Sequence, residues 1–191
     1  MDIRVLTSVD ASAFQRLRLE GLRDCPTAFA SHYDDECDVP IEKVVARLES
    51  TADRAIFGAL ERGSLVGVVG IHREARRNLR HKALVFGMYV TPASRRKGVG
   101  RELLETALGH AGRMPGLRQV NLCVNAANTS VIAMYRAAGF EPFGVEPAFL
   151  IVNGASQDLV HMVRVLDGDG HTVQSPERVV PNGGEPQRGL R

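Results

Sequence analysis

The chain has 191 residues, of which 44% are hydrophobic and 24% are charged, and its formal net charge is +2. A chain of this size and composition is most simply one globular domain, and the small net charge argues against a nucleic-acid-binding protein. Its three cysteines form no CxxC pair, which argues against a disulfide framework and a zinc site. No segment has the pattern of a signal peptide or a membrane span, so we expect a cytoplasmic protein without a membrane partner.

Hydrophobic periodicity and turn residues define the elements in the first half of the chain. In order, they predict a strand at 3–6, a helix at Ala11–Asp24, a short helix at 40–48, and strands at Arg54–Glu61 and 65–72. The interval 28–39 is acidic and is predicted to be irregular. The turn residues at 62–64 predict a hairpin between the last two strands.

The second half begins with a basic loop at 73–82, followed by a strand at 83–90 whose apolar residues indicate burial on both faces. The remaining elements are predicted as a helix at 98–113, a strand at 119–124, a helix at 129–138, and strands near 141–145 and 159–166. Residues 167–191 are rich in glycine, proline and charge, so we expect a disordered C-terminal tail beyond a domain of residues 1–166. Strands that alternate with helices predict an α/β domain on a mixed sheet.

Two glycines, Gly98 and Gly100, stand between the predicted central strand and the next helix. Without side chains there, an anion can approach the unpaired N–H groups at the positive end of the helix dipole. Four basic residues surround this point: Arg95, Arg96, Lys97 and Arg101. The pattern predicts a pyrophosphate site. It is neither a P-loop, which needs GxxxxGK followed by Ser or Thr, nor a dinucleotide fingerprint, because position 103 is leucine instead of a third glycine.

A strand ending in Val90-Thr91-Pro92, followed by Arg-x-x-Gly-x-Gly at 95–100, resembles the acetyl-CoA signature of the GNAT family of N-acetyltransferases. A second segment resembles the family's other cofactor motif, which is a strand, an asparagine and a helix ending in Tyr-x-x-x-Gly-Phe. Here that motif consists of 122–125, Asn128 and 135–140. The specific motifs lie within 88–140, and the general layout resembles the family from 3 to 166.

The resemblance implies an α/β GNAT-like (acyl-CoA N-acyltransferase) fold with a mixed, mostly antiparallel central sheet flanked by helices. It implies an enzyme that needs acetyl-CoA and no metal, in which a primary amine attacks the thioester directly in a ternary complex. The acceptor would be a small-molecule or peptide amine that the sequence does not identify. In the family, the region 18–36 lines the acceptor groove, and homodimers are common.

The resemblance also assigns roles to residues. The cofactor-binding residues that it implies are Met88, Val90, Arg95, Arg96, Lys97, Gly98, Val99, Gly100, Arg101 and Asn128. The backbone of 96–101 would hold the pyrophosphate, and the strand ending at Val90 would splay from the next strand, so that the Val90 N–H polarises the thioester carbonyl. Asn128 would contact the cofactor near its sulfur or cap the following helix. Tyr135 would protonate the departing thiolate as the catalytic acid, or serve as a packing residue.

The predicted central strand departs from the family in one respect. Many members carry a glutamate base on this strand, whereas 83–90 contains no acidic residue. Glu20, Asp35, Glu36 or a chain of ordered waters could deprotonate the amine, and the base stays unassigned. The missing acid favours a second interpretation, a non-catalytic acetyl-CoA-binding sensor or partner module, whereas Asn128 and Tyr135 favour an enzyme.

Overall fold

The computed structural model of the protein describes residues 1–166, so the predicted C-terminal tail at 167–191 lies outside the described residues. Helices and strands alternate along the described chain. In order they are β1 (Asp2–Val5), α1 (Ala11–Asp24), α2 (Tyr33–Glu36), α3 (Ile41–Arg47), β2 (Arg54–Glu61), β3 (Ser64–Arg73), β4 (Lys82–Val90), α4 (Val99–Ala111), β5 (Gln119–Asn125), α5 (Thr129–Ala137), β6 (Glu141–Val152) and β7 (Ala155–Val165). Among the helices of residues 1–166, none is both long and apolar enough to cross a membrane.

The strands form one seven-stranded sheet in the order β1-β2-β3-β4-β5-β7-β6. Neighbouring strands are antiparallel except for β4 and β5, which run parallel. A parallel pair needs a crossover connection, and α4 lies in that connection. The prediction of an α/β fold with a mixed, mostly antiparallel sheet flanked by helices is confirmed.

Helices cover both faces of the sheet around β4. On one face, α4 packs on β2, β3 and β4 and buries a stripe of apolar residues with helical spacing: Val99, Leu103, Leu104, Ala107, Leu108 and Ala111. On the other face, α1 packs on β3 and β4 through Phe14 and Leu17. The burial of β4 on two sides, predicted from its apolar residues, is therefore present.

A β-bulge interrupts β4 at Gly87. The register against β3 shifts there, and Gly87 has a φ of 62°, in the left-handed region that favours glycine. An extra residue reverses the alternation of side chains along a strand. As a result, Phe86 and Tyr89 pack on the α1 face, whereas Met88 and Val90 pack on the α4 face.

Strands β4 and β5 diverge beyond their first residues. Their parallel ladder joins Lys82, Ala83 and Leu84 to Gln119, Val120 and Asn121. The rest of β4, including the bulge, runs away from β5 and opens a cleft between the two strands. The splay that the family resemblance implied is present, and it places Met88 and Val90 beside the opening.

Three predicted boundaries differ from the structure. The interval 28–39, predicted to be irregular, contains the short helix α2, whose N-terminus is capped by the ring of His32. β6 continues to Val152 instead of ending near 145, and β7 begins at Ala155 instead of near 159. Most of β6 is exposed on both faces, so its sequence lacks the alternation that marks a half-buried strand. Ala148, with a φ of 50°, also interrupts its ladder.

Candidate functional site

The turn between β4 and α4 forms a concave backbone surface. Arg96 and Gly98 have φ values of 60° and 84°, both in the left-handed region. Turns that mix right- and left-handed residues make successive N–H groups converge, and such turns bind anions. A left-handed arginine costs on the order of 1 kcal/mol or more, and strain of this kind is typical of ligand-binding turns.

The start of α4 is open to an anion. Gly98 occupies the N-cap position, and no side chain within residues 1–166 caps the helix there. The N–H groups of the first turn have no partner inside the helix and lie at the positive end of its dipole. Helices bind phosphate groups at starts of this kind, and the pyrophosphate site expected from the two glycines stays a prediction.

Three of the four basic side chains around the turn extend into solvent. Arg96 and Lys97 are exposed, and within residues 1–166 neither makes an ion pair. Arg101 is exposed as well and pairs with Glu105 one helical turn later, at 2.8 Å. Arg96 and Lys97 are therefore the side chains whose charge is available to a ligand at the start of α4.

The Arg95 side chain turns away from α4 and joins the turn to α1. Its Nε donates to the Val90 carbonyl at 2.9 Å, and its guanidinium pairs with the Asp24 carboxylate. The Tyr89 hydroxyl lies 3.1 Å from Glu20 and 3.2 Å from Asp24. Burial raises the pKa of Tyr89, and the two carboxylates raise it further. The charge of the Arg95 side chain is thus used to hold α1 against the turn. Only the backbone of Arg95 remains available to a ligand.

The cleft between β4 and β5 is bordered by the start of α4. A Cβ added to Gly100 would lie 3.8 Å from Met88 and 3.9 Å from Val90, so the helix approaches the end of β4 closely. The Thr91 N–H donates to the Val66 carbonyl of β3. Because residues of an antiparallel ladder alternate in direction, the N–H of Val90 points away from β3 and toward the cleft.

Tyr135 projects from α5 into the same cleft. Its side chain is 6% exposed, its hydroxyl lies 3.4 Å from the sulfur of Met88, and its ring packs edge to face on Phe140. Burial raises the pKa of the Tyr135 hydroxyl, and the nearby Cys123 raises it further. The phenol is therefore protonated at neutral pH, which is the form that a proton donor requires.

Two asparagines close the end of β5. The side-chain oxygen of Asn128 accepts a hydrogen bond from the Val131 N–H at 3.3 Å and caps α5, so the cap that the sequence left open is present. Asn125 is buried, and its Nδ2 donates to the Thr27 carbonyl at 3.2 Å and to Gln157 at 3.0 Å. Sequence reasoning assigned Asn125 no role, although a polar residue at the end of an apolar strand was an available signal.

A pocket lies on the α1 face of the sheet, against the bulge of β4. Its lining is mainly apolar, and includes Phe14, Arg18, Phe29, Phe86, Gly87 and Tyr89. Gly87 precedes Met88, which borders the cleft, so the pocket and the cleft meet at the same point of β4. The pocket has room for about one water molecule, so it could take only a small group of a second substrate.

The three acidic residues considered as proton acceptors differ in burial and in hydrogen bonding. Glu36 is buried, and its two oxygens accept hydrogen bonds from Arg18 at 2.7 Å and Arg47 at 2.5 Å. Burial alone would raise the pKa of Glu36, but these two hydrogen bonds outweigh it and lower the pKa to about 2. A carboxyl of such low basicity is unsuited to accept a proton near neutral pH. Asp35 is exposed, and Glu20 is bonded to the Tyr89 hydroxyl.

Comparisons of the sequence identify relatives over part of the chain. Residues 19–140 match the family model described as the acetyltransferase (GNAT) family. The chain is 36% identical over 107 residues to an uncharacterized protein of Mycobacterium leprae. The matched segment covers 54% of this chain and 27% of that protein. It is 35% identical over 99 residues to the N-alpha-acetyltransferase RimI of Mycobacterium tuberculosis, covering 51% of this chain and 59% of that protein. The matches therefore span less than two thirds of the length of either relative.

Solved structures share the fold. An acetyltransferase of the GNAT family from Streptococcus pneumoniae has a TM-score of 0.77 at 22% identity, covering 86% of this chain and 98% of that chain. A Salmonella typhimurium protein, solved with its cofactor acetyl-CoA, has a TM-score of 0.76 at 22% identity, covering 90% of this chain and 97% of that chain. At these identities the likeness establishes the fold.

Proposed function

Because the chain belongs to the GNAT family of acetyltransferases, we propose that it is an enzyme that transfers the acetyl group of acetyl-CoA to a primary amine. The observation that carries this proposal is the uncapped start of α4, which borders the cleft between β4 and β5. A phosphate-binding helix start beside a splayed pair of strands suits a long ligand with a pyrophosphate at one end and a thioester at the other. Residues 1–166 would then form the N-acetyltransferase domain.

The residues around the cleft fit acetyl-CoA. The backbone of 96–101 and the exposed charges of Arg96 and Lys97 suit the pyrophosphate. The backbone groups of Met88 and Val90 suit the amide-containing arm that would lie along the cleft. Val99 and Arg95 serve this site by holding the shape of the turn, since Val99 is buried and Arg95 is bonded to β4 and α1.

The chain's groups suit direct attack by an amine on a thioester. Acetyl-CoA, when bound, supplies an activated acyl carbon. The Val90 N–H, directed toward the cleft, would stabilise the negative charge that develops on the carbonyl oxygen, an effect worth roughly 3 kcal/mol for a well-placed donor. The buried Tyr135 hydroxyl would give its proton to the departing thiolate.

The pocket on the α1 face is the proposed acceptor site. It meets the cleft at the bulge of β4, and its apolar lining limits the access of water. The relative from Mycobacterium tuberculosis is named as an N-alpha-acetyltransferase, so a peptide with a free N-terminal amine is the first acceptor to test. An α-amine has a typical pKa of about 8, against about 10.4 for a lysine ε-amine, so more of it is neutral and nucleophilic at pH 7.

A second candidate function is that of a non-catalytic acetyl-CoA-binding sensor or partner module. One observation favours it: β4 carries no acidic side chain, and both oxygens of Glu36 are held by arginines. The placement of the Tyr135 hydroxyl in the cleft favours the enzyme, because a sensor has no need of a proton donor there.

Release of free thiol from acetyl-CoA by the purified protein tests the proposal. The acceptor panel would contain a peptide with a free α-amine, an N-terminally blocked peptide with one lysine, a polyamine and an aminoglycoside. Amine-dependent thiol release, with one acetyl group added to the amine by mass spectrometry, is the expected result. Protection by acetyl-CoA against thermal unfolding without transfer to any amine would favour the sensor. The absence of any protection would contradict both functions.

A further inference from the structure

A histidine, a glutamate and a cysteine meet on the face of the sheet beyond the end of α1. His161 of β7 stands directly opposite Cys123 of β5 in the antiparallel register, so both side chains lie on one face with their Cβ atoms about 5 Å apart. Glu146 of β6 lies on the same face, and its carboxylate is 2.8 Å from Nε2 of His161. Sequence reasoning gave none of the three a function.

Cys123 connects this cluster to the cleft. The ladder between β4 and β5 ends at Asn121, so Cys123, two residues later on the same face, lies where the strands have begun to diverge. Cys123 therefore lies between the opening of the cleft and the ring of His161.

We infer that His161, oriented by Glu146, is the base that accepts a proton from the acceptor amine. The inference rests on the proposed function and supplies the base that β4 lacks. The Nε2–H of the ring donates to Glu146, which leaves the lone pair of Nδ1 as the proton acceptor. The ring is 32% exposed, so a substrate or a single bridging water can reach it. Imidazole is the side chain that most often serves as a general base in enzymes.

The other groups around the ring are less suited to accept the proton. Burial raises the pKa of the Cys123 thiol, and Glu146 raises it further, so the thiol stays protonated at neutral pH. Glu146 itself is engaged with the ring. Glu141 of β6 lies on the same face, opposite Val163. The segment Pro26–Ala28, which packs against β5 and β6, carries no titratable side chain.

The proposed steps balance in protons and bonds. The acceptor ammonium gives one proton to His161 and becomes a neutral amine. Its nitrogen then bonds to the acyl carbon as the carbon–sulfur bond breaks, and the Tyr135 hydroxyl gives its proton to the leaving sulfur. The new amide nitrogen returns its extra proton to Tyr135, and His161 releases the first proton to solvent.

The test measures kcat from pH 6 to pH 10 with saturating acetyl-CoA and a lysine-free peptide with a free α-amine. In His161→Gln we expect kcat at pH 7 to fall by about 100-fold or more, and to recover partly at high pH as the free amine becomes abundant. The KM for acetyl-CoA should not change. Glu146→Gln should lower kcat by a smaller factor and move the acidic limb of the pH profile, and Glu146→Asp should restore part of the loss. His81→Gln, before the start of β4, is the matched control and should behave as the wild type.

The outcomes separate this inference from the proposed function. A wild type that transfers to the peptide, with a His161→Gln variant that keeps its kcat within twofold and its pH profile, would overturn the base and leave the enzyme intact. A wild type that transfers to no amine would overturn both. His161→Ala assayed with added imidazole guards against misfolding, because external imidazole should restore activity to a folded variant that lacks the base. Failure to restore activity to His161→Ala, when acetyl-CoA still protects it from unfolding, would count against the inference.

Discussion

The ring of Phe86 lies so close to Gly70 that a Cβ added to this glycine would be 2.3 Å from the ring. The two residues face each other across the ladder between β3 and β4. A glycine inside a strand weakens it and commonly marks a close approach, which here is made by the aromatic ring. Because Phe86 precedes the bulge at Gly87, the contact sets one wall of the proposed acceptor pocket.

Replacement of Gly70 by alanine should destabilise the fold. The new methyl group must displace the Phe86 ring or separate the strands, so Gly70→Ala is expected to lower the free energy of unfolding by about 1–3 kcal/mol. Gly109→Ala in α4 is the matched control, because an added Cβ there meets no atom within 4 Å, and it should stabilise the protein by about 0.5–1 kcal/mol. Urea denaturation measures both; equal stabilities for the two variants would refute the close contact.

The parts of the fold that could be predicted from sequence are those whose burial is regular. The strand at 83–90 is apolar throughout, and the stripe of α4 recurs with helical spacing, so their types follow from the amino acids alone. β6 follows no such pattern because most of it is exposed. Its length depends on hydrogen bonds to β7, which local sequence does not encode.

In the candidate site, likewise, some features follow from local sequence and others depend on contacts between residues far apart in the chain. The glycines at 98 and 100 directly express a backbone requirement, so the open start of α4 could be predicted, and the anion site there stays a prediction. The partner of Arg95 could not, because Asp24 is 71 residues away in sequence. The link from Asn125 to Thr27 spans 98 residues. Such contacts depend on the assembled sheet, and they decide which side chains remain available for chemistry.

Substitution of Gly98 should weaken the binding of acetyl-CoA. Gly98 is left-handed, with a φ of 84°, and its missing side chain leaves the start of α4 open. Gly98→Ala adds strain of about 1–2 kcal/mol and places a methyl group beside the N–H donors, so we expect the Kd for acetyl-CoA to rise by about tenfold or more. Calorimetric titration measures the change, with Gly109→Ala as the control. Wild-type affinity in a folded Gly98→Ala protein would place the pyrophosphate elsewhere.

Loss of the Tyr135 hydroxyl should affect chemistry more than binding. Tyr135→Phe keeps the edge-to-face packing on Phe140 and removes the group 3.4 Å from Met88. We expect kcat to fall by about 100-fold, with the Kd for acetyl-CoA within about twofold of wild type. Steady-state kinetics on the best amine of the panel gives the first value, and titration gives the second. A kcat that stays near the wild-type value would show that Tyr135 is a packing residue and not the catalytic acid.

The buried ion triad around Glu36 should make stability depend on pH. The pKa of Glu36 in the folded protein is about 2, below its ordinary value of 4.5, so the triad contributes fully above about pH 5 and its contribution is lost as the pH falls toward 2. The shift corresponds to stabilisation on the order of 3 kcal/mol at pH 7. Glu36→Gln should therefore be less stable at pH 7, and should lose less further stability between pH 5 and pH 2. Asp35→Asn, an exposed neighbour on α2, should follow the wild-type curve in thermal unfolding at each pH.

Asn125 should affect the binding of the acceptor amine and not the binding of acetyl-CoA, because it does not contact the turn between β4 and α4. Its Nδ2 ties the loop after α1 to β7 through Thr27 and Gln157, and its Oδ1 accepts from the Ala127 N–H at 2.8 Å. Asn125→Ala leaves these buried groups without partners, at a cost of about 1–3 kcal/mol, and frees a loop that carries Phe29 of the proposed acceptor pocket. We expect a raised KM for the amine and an unchanged Kd for acetyl-CoA.

The control for this prediction lies on the same strand. Asn121 occupies the same face of β5 and bonds to Gln119, two residues away, without joining β5 to another element. Asn121→Ala should therefore leave the KM for the amine unchanged. If Asn125→Ala raised the Kd for acetyl-CoA as much as the KM for the amine, the loop after α1 would have to serve both substrates, and the separation between the acceptor pocket and the cofactor cleft would be wrong.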